Sequence, residues 1–348
     1  MVSRLFGTVA GLAVLVCAGQ AAAQAGPVLM IRDAAVRVVV TPEARNTITA
    51  TLSGGSGRLQ RPTVRAEGAN LVVDGGLHDR IRGCGSFSFS FFGHRRGGDE
   101  ERRGDAVRPN PRERVRIEGV GSVSLNELPL LDVRVPLDAR VEAGGAVFGT
   151  VGRSRSVNLS TAGCGDWSVA NTEGRLTVSQ QGSGDVRAGA TAGVDSHIRG
   201  SGNLEVAEVN GPLSVDISGS GDFSARRADG PMRTGIAGSG DVRIDDGVAR
   251  GLNVEVRGSG DVDVAAAEGE VRLSTHGSGD ISVARGRASM VSVEVRGSGD
   301  VSFGGDAGTA SVDIAGSGDV DLGRVSGPVN RSVHGSGDLT VNGRSVEQ

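Results

Sequence analysis

Aromatic residues are scarce in this sequence of 348 residues, which contains no Tyr, one Trp and eight Phe. This composition excludes a conventional aromatic-rich core. The 58 glycines, together with many Val, Leu, Ile and Ala residues, suit a narrow stack of small apolar side chains. A formal net charge of −4 argues against nucleic acid as a partner.

The motifs of common enzyme and metal sites are also missing. The five His residues are scattered, and no His/Cys cluster has the spacing of a zinc site. No Gly-x-Ser-x-Gly elbow stands between a strand and a helix. The Gly-rich motifs are not phosphate-binding loops, because no Lys follows them and no helix begins after them. The sequence therefore predicts no cofactor and no catalytic residues.

Only the start of the chain carries a long apolar run. Arg4 precedes the apolar residues 5–18, and the small residues Ala21, Ala22 and Ala23 follow. We interpret residues 1–23 as a cleaved secretory signal peptide, with an uncleaved membrane anchor as the alternative. No later segment is apolar enough to span a bilayer. We therefore expect an exported protein, located in the periplasm or at the cell surface, without a transmembrane segment after signal cleavage.

Cysteine is rare, with three residues in the chain. Loss of the signal peptide would leave Cys84 and Cys164, each within a Gly-Cys-Gly triplet, in an oxidising compartment. If residues 82–87 form an earlier coil stacked on the coil of Cys164, the separation of the two Cα atoms would suit a disulfide. Two free thiols are the alternative.

One motif, Gly-Ser-Gly-Asp, recurs through the C-terminal half at intervals of 18 to 20 residues. Its ten copies, two of them variants, end at Asp166, Asp185, Asn203, Asp222, Asp241, Asp261, Asp280, Asp300, Asp319 and Asp338. Apolar and polar residues alternate around each copy, as in residues 213–225, and a period of two predicts strands. The chain is therefore predicted to be all-β. It should form a parallel β-solenoid of about ten coils of 19–20 residues, bent at the glycines and stacked about 4.8 Å apart.

The residues before the first copy alternate less regularly. We predict an irregular N-terminal β section over 24–160, with a charged loop insertion at 93–114, and a regular solenoid over 161–348. The short strands of the N-terminal section should cap the first coil, because an open solenoid end invites strand-on-strand aggregation.

The Asp side chains of the motif are predicted to point outward in a column. Aspartates about 5 Å apart repel by under about 1 kcal/mol per pair in water, so each carboxylate needs a backbone N–H or a cation. Five basic residues just before the motif could partly neutralise the column: Arg199, Arg257, His276, Arg296 and His334. We interpret the column as structural turn chemistry. The alternative is a Ca²⁺-binding ladder formed by Asp241, Asp261, Asp280, Asp300 and Asp319.

Several stretches together resemble the bacterial exported family known as the auto-transporter adhesin head, or GIN, domain. They are Ile31–Val40, Leu131–Leu137 and the Ser-Gly-Ser-Gly-Asp strands such as Ser218–Phe223. The resemblance implies a β-solenoid-like fold, an extracytoplasmic location and an adhesive role. It brings no established catalytic or binding residues. The charged insertion and the two Gly-Cys-Gly copies depart from the usual pattern of the family.

These observations favour a non-catalytic exported solenoid that acts in adhesion or cell-envelope interaction. Its partner would be an envelope or surface component such as a glycan or a protein. A periplasmic structural or envelope-stress protein is the alternative. A polysaccharide-acting β-helix enzyme, using Asp261, Asp280 and Asp300 beside Arg257 and Arg296, is disfavoured because catalytic carboxylates need unequal environments and these aspartates are nearly identical.

Overall fold

The structure is a computed structural model that describes residues 26–85 and 113–346. The signal peptide predicted at residues 1–23 lies outside the described residues. So does most of the predicted loop insertion at 93–114. Arg114, the last residue of that predicted loop, is the first residue of a strand.

Almost all regular structure is β. The N-terminal strands are β1 (Leu29–Glu43), β2 (Thr49–Ser53), β3 (Thr63–Glu67), β4 (Asn70–Asp74), β5 (Ile81–Cys84), β6 (Arg114–Ile117), β7 (Gly121–Ser124), β8 (Leu130–Pro136) and β9 (Asp138–Val151). Two single-turn 3₁₀ helices interrupt them, His78–Arg80 and Leu125–Glu127. Within residues 26–85 and 113–346, no helix has the length and apolar character needed to cross a membrane.

The remaining strands follow the repeats. They are β10 (Ser156–Cys164), β11 (Trp167–Val169), β12 (Arg175–Gly182), β13 (Val186–Thr191), β14 (Gly193–Gly200), β15 (Leu204–Asn210), β16 (Leu213–Gly219), β17 (Phe223–Gly238), β18 (Val242–Ile244), β19 (Gly247–Gly258), β20 (Val262–Gly277), β21 (Ile281–Gly297), β22 (Val301–Gly316), β23 (Val320–Val325), β24 (Val329–Gly335), β25 (Leu339–Val341) and β26 (Arg344–Ser345).

Parallel pairing of these strands builds a β-solenoid of about 11 turns, and the predicted fold is confirmed. Each coil has a pre-bend segment that ends at the first Gly of the motif and a post-bend segment that begins after its Asp. Pre-bend segments pair in register, so Leu213 lies beside Met232. Post-bend segments do the same, with Phe223 beside Val242. Equivalent residues of successive coils therefore form straight columns.

The inward columns form one continuous apolar core. Val254, Val256 and Val262 are fully buried, as are their counterparts in most coils. Trp167 occupies the post-bend inward column and is only 2% exposed. Its neighbour in that column is Gly149, where an added Cβ would overlap the indole ring. Gly149 thus makes room for the largest side chain of the core.

The parallel stack begins earlier than the first motif. Strand β1 pairs in parallel with β9 on one side and with β4 and β8 on the other. Strands β3 and β2 then pair antiparallel with β4 and β8. The N-terminal end of the stack is therefore closed by antiparallel strands, which interrupt the parallel pairing that another chain could extend.

The C-terminal end is closed differently. Strand β26 pairs antiparallel with β25, and Val346 packs against the core. Arg331 takes the inward position that Val312 holds one coil earlier, and its guanidinium donates to the carbonyl of Val346. The last coil thus carries a charged residue where the other coils carry Val, Leu, Thr or Ser, a device that discourages end-to-end stacking.

A small antiparallel sheet of β5, β6 and β7 packs on the outside of the solenoid. Its apolar face, with Val115 and Val123, packs in one cluster with Ala146 and Phe148 of β9. Cys84 lies in this sheet, so residues 82–85 do not form an earlier coil of the stack, which was the condition stated for the disulfide; residues 86 and 87 lie outside the described residues. The structure nevertheless joins Cys84 to Cys164 by a disulfide, with the two Cα atoms 5.7 Å apart.

Candidate functional site

The aspartate ladder is the most regular polar feature of the surface. We use this name for the last residue of each motif copy, from Asp166 to Asp338. The backbone N–H of each member donates to the Oδ1 atom of the member one coil earlier, at 2.8–2.9 Å in all nine steps. Every carboxylate from Asp166 to Asp319 therefore holds the bend of the following coil.

Asn203 shows which atom the ladder requires. Its N–H donates to Asp185, and its amide oxygen accepts the N–H of Asp222, both at 2.9 Å. A side-chain oxygen at this position is therefore sufficient, and the charge is not needed for the bond. The carboxylates elsewhere bind the same N–H more strongly, because a hydrogen bond to an ionised acceptor is the stronger kind.

The two glycines of the motif permit this close stacking. In the motif copy that ends at Asp280, Gly277 has a φ of +147°, and a Cβ there would overlap the carbonyl group of Gly258. A Cβ on Gly279 would likewise overlap the carbonyl oxygen of Gly260. The Ser between them donates its N–H to the Gly258 carbonyl at 2.9 Å. Backbone therefore lies directly on backbone at every bend.

The basic residues just before the motif were expected to neutralise the ladder partly, but two of them pair with other carboxylates. Arg257 pairs with Glu255, and Arg296 pairs with Glu294, each two residues earlier on the same strand. Both arginines project from the pre-bend sheet, on the other side of the glycine bend from the aspartates. The predicted use of Arg257 and Arg296 beside the column is therefore wrong.

A shallow acidic groove of about 370 Å³ runs beside the ladder. Asp261, Asp280, Asp300 and Asp319 line one side, and the neighbouring outward column contributes Asp263, Ser282, Ser302 and Asp321. Among the residues that the structure describes, no three His, Cys, Asp or Glu side chains are grouped to hold one metal ion. Calcium binding by Asp241, Asp261, Asp280, Asp300 and Asp319 stays the untested alternative to structural turn chemistry.

The first two members of the ladder, Asp166 and Asp185, have a different electrostatic environment from the later members. Glu113, which immediately precedes β6, is half-buried, and burial together with the charges of Asp166 and Asp185 raises its pKa to about 7. Arg187 opposes this rise. Burial also raises the pKa of Asp166, helped by the charge of Asp185 and opposed by the N–H that Asp185 donates. The docked small sheet thus places a third carboxyl group against the first two members of the ladder.

We expect Glu113→Gln to remove a pH dependence of stability. The pKa of Glu113 in the folded state lies above the unfolded value of 4.5. Its contribution to the free energy of unfolding is therefore fully present below pH 4.5 and is lost as the pH rises through about 7. After allowance for solvent screening, the loss is about 1–2 kcal/mol. Urea unfolding at pH 5 and pH 8 measures it, and a variant with the same pH difference as the wild type would contradict this account.

A second prediction separates the acceptor from the charge in the ladder. Asp280→Asn keeps an oxygen for the N–H of Asp300, as Asn203 does, so the free energy of unfolding should change by less than about 0.5 kcal/mol. Asp280→Ala removes the acceptor and should cost about 1 kcal/mol. Urea unfolding of both variants tests this, and equal losses would show that the hydrogen bond is not what the column supplies.

A column of alternating charge lies on the third side of the coils, between the post-bend and pre-bend segments. Its members stand in register on successive coils: Arg250, Glu268, Arg287, Asp306 and Arg324. Arg324 pairs with Asp306 at 3.3 Å. Neighbouring opposite charges favour stacking, in contrast to the like charges of the ladder. This column was not predicted from the sequence.

Residues 209–345 match a family model described as "Putative auto-transporter adhesin, head GIN domain", in two overlapping segments, 209–284 and 266–345. The resemblance noted from the sequence is thereby confirmed over this part of the chain. No curated protein matches the sequence.

A solved structure also matches, described as the crystal structure of a "Putative lipid binding protein from Parabacteroides distasonis ATCC 8503". The match covers 90% of this chain and 91% of that chain, with 12% sequence identity and a TM-score of 0.30. A likeness of this degree carries no argument about fold or function.

Proposed function

We propose that the protein is a non-catalytic exported solenoid that acts in adhesion or cell-envelope interaction. The match of residues 209–345 to the auto-transporter adhesin head GIN domain model supports this proposal. The observation that carries the proposal is the repetition of one polar outer surface over successive coils. The outward columns are straight, and each ladder side chain performs the same structural role. Such a surface presents the same groups many times to an extended partner.

The uniformity of the ladder also supports a non-catalytic role. General acid and nucleophile roles need carboxyl groups whose environments push their pKa values apart. Asp261, Asp280 and Asp300 each accept one backbone N–H from the next coil, at 2.8–2.9 Å. They therefore share one environment, which suits repeated display better than the division of labour in a hydrolase.

Surface labelling of one added cysteine tests the location that adhesion requires. Asp313 is exposed on the pre-bend sheet, whereas the adjacent Ile314 is fully buried. Cells producing Asp313→Cys would be treated with a membrane-impermeant maleimide. Labelling of intact cells, with a periplasmic marker spared, is the expected result.

The matched control is Ile314→Cys, which should stay unlabelled in the folded protein wherever it is located. Labelling of Asp313→Cys only after the outer membrane is opened would overturn surface adhesion. That result would support the alternative, a periplasmic structural or envelope-stress protein.

A further inference from the structure

A polar groove of about 630 Å³ lies on the third side of the early coils, away from the aspartate ladder. It is formed where the chain turns from a post-bend segment to the next pre-bend segment. The turn between β9 and β10 contributes Arg153, the next turn contributes Asn171 and Glu173, and β15 ends at Asn210. This volume is within the range of small-molecule sites in proteins.

Small residues make the groove. Ala190 and Ala192 line it between the longer side chains of the coils on either side. The turns stack backbone on backbone, since the N–H of Ala192 donates to the carbonyl of Gly174 at 3.1 Å. A Cβ on Gly211 would overlap the carbonyl of Ala192. The close stacking leaves the depression open while its rim stays rigid.

Asn171 is fixed in this rim. Its Oδ1 atom accepts the N–H of Ala190 at 3.0 Å, which is the bond that a ladder residue makes at the bend. A Cβ on Gly189 would collide with the same Oδ1 atom, so the glycine allows the amide to sit there. The amide oxygen is engaged, and the amide nitrogen is left as a hydrogen-bond donor.

The two arginines of the groove have different roles. Arg155 is held by Asp138 through two hydrogen bonds, and Ser156 donates to the same carboxylate at 2.8 Å. These contacts keep the pKa of Asp138 below its usual range. Arg153 makes no ion pair with any of the described residues. Arg153 is therefore the guanidinium that remains for a ligand.

The remaining polar side chains of the groove could form hydrogen bonds with the hydroxyl groups of a sugar. In the part of the chain that the structure describes, the side chain of Glu173 accepts no hydrogen bond, and the buried Oγ of Ser154 has no partner. Amide, carboxylate and guanidinium groups are planar and can each meet two adjacent oxygen atoms. No aromatic side chain lines the groove, so hydrogen bonds would carry recognition.

We propose that this groove binds a sugar that bears a carboxylate, with Arg153 on the carboxylate and Glu173 and the two Asn amides on hydroxyl groups. The proposal names a ligand class for the adhesion or envelope role and rests on that role. Asn210 is the one groove residue among those named that lies within residues 209–345, so the family match does not supply this site.

Calorimetric titration of the purified exported protein tests the proposal. The probes are trigalacturonate and sialyllactose, which distinguish uronate from sialate, and maltotriose as a neutral control. We expect one of the acidic probes to bind, and maltotriose to bind at least about tenfold more weakly. Arg153→Gln should weaken the acidic probe about tenfold. Arg250→Gln, at an exposed arginine of a later coil, should leave the affinity unchanged.

Thermal unfolding would show that Arg153→Gln folds as the wild type does. Absence of binding by both acidic probes, equal affinity for maltotriose, or equal loss in the Arg250→Gln variant would overturn the saccharide site. Surface labelling of Asp313→Cys is independent of these titrations. A surface-exposed protein that binds no acidic sugar would refute this inference alone, whereas a periplasmic protein that binds one would refute surface adhesion alone.

Discussion

Gly277→Ala should lower the free energy of unfolding by about 3 kcal/mol or more. The residue has a φ of +147°, a conformation that side chains with a Cβ rarely adopt. The new Cβ would also overlap the carbonyl group of Gly258 on the preceding coil. Because backbone atoms on both sides cannot move without separating the coils, the loss should exceed that of an ordinary surface substitution. Urea unfolding followed by circular dichroism measures it.

The matched control is Gly83→Ala. Gly83 has nearly the same φ, +144°, but a Cβ there has no atom within 4 Å. Its substitution should cost only the conformational strain, about 1 kcal/mol. The difference between the two variants isolates the effect of coil stacking. Equal losses would mean that the glycines of the motif serve the local bend alone.

Removal of the disulfide is the second large effect. The bond joins residues separated by 80 positions, and it ties the small sheet of β5, β6 and β7 to the solenoid. The double variant Cys84→Ser/Cys164→Ser should lose about 4 kcal/mol, since the unfolded chain regains the freedom of the closed loop. Urea unfolding under non-reducing conditions measures the loss.

A reducing agent supplies the control for this prediction. It should destabilise the wild type by a similar amount and leave the double variant unchanged. The small sheet buries few apolar residues of its own, so its signals should be lost first. Two free thiols in unreduced, exported protein, or a double variant as stable as the wild type, would contradict the account.

The regular half of the fold could be predicted from the sequence because its information is local. A period of two identifies the strands, and the spacing of Gly-Ser-Gly-Asp identifies the coil. The position of the inward Trp167 follows from the same register. No long-range contact has to be guessed, because each coil packs on its neighbours in sequence.

The features that sequence reasoning missed depend on contacts distant in the chain. Cys84 lies in an antiparallel sheet docked on the solenoid. Its Gly-Cys-Gly triplet looks the same as that of Cys164 in a coil, so the triplet does not predict the sheet. The unusual carboxyl group of Glu113 arises from the same docking. The alternating column from Arg250 to Arg324 recurs as regularly as the motif, but its charge changes sign at each step, so no shared residue type marks it in the sequence.

The sequence predicted the backbone partners of the ladder carboxylates correctly but not their relation to the neighbouring arginines. The expectation that each carboxylate needs a backbone N–H agrees with the geometry, and Asn203 identifies the oxygen as the essential atom. The roles given to Arg257 and Arg296 were wrong because the glycine bend directs them to another face. Their acidic partners two residues earlier, Glu255 and Glu294, were visible in the sequence.

Amide hydrogen exchange of the ladder residues tests whether the aspartate side chains hold successive coils together. Asp261, Asp280 and Asp300 have exposed side chains, yet their N–H groups each donate to the carboxylate one coil earlier. We expect these amides to exchange as slowly as those of the adjoining buried strands. An Asp→Ala substitution should speed exchange of the ladder amide one coil later. Exchange at the rate of free surface amides would contradict the ladder and the stacking it is proposed to hold.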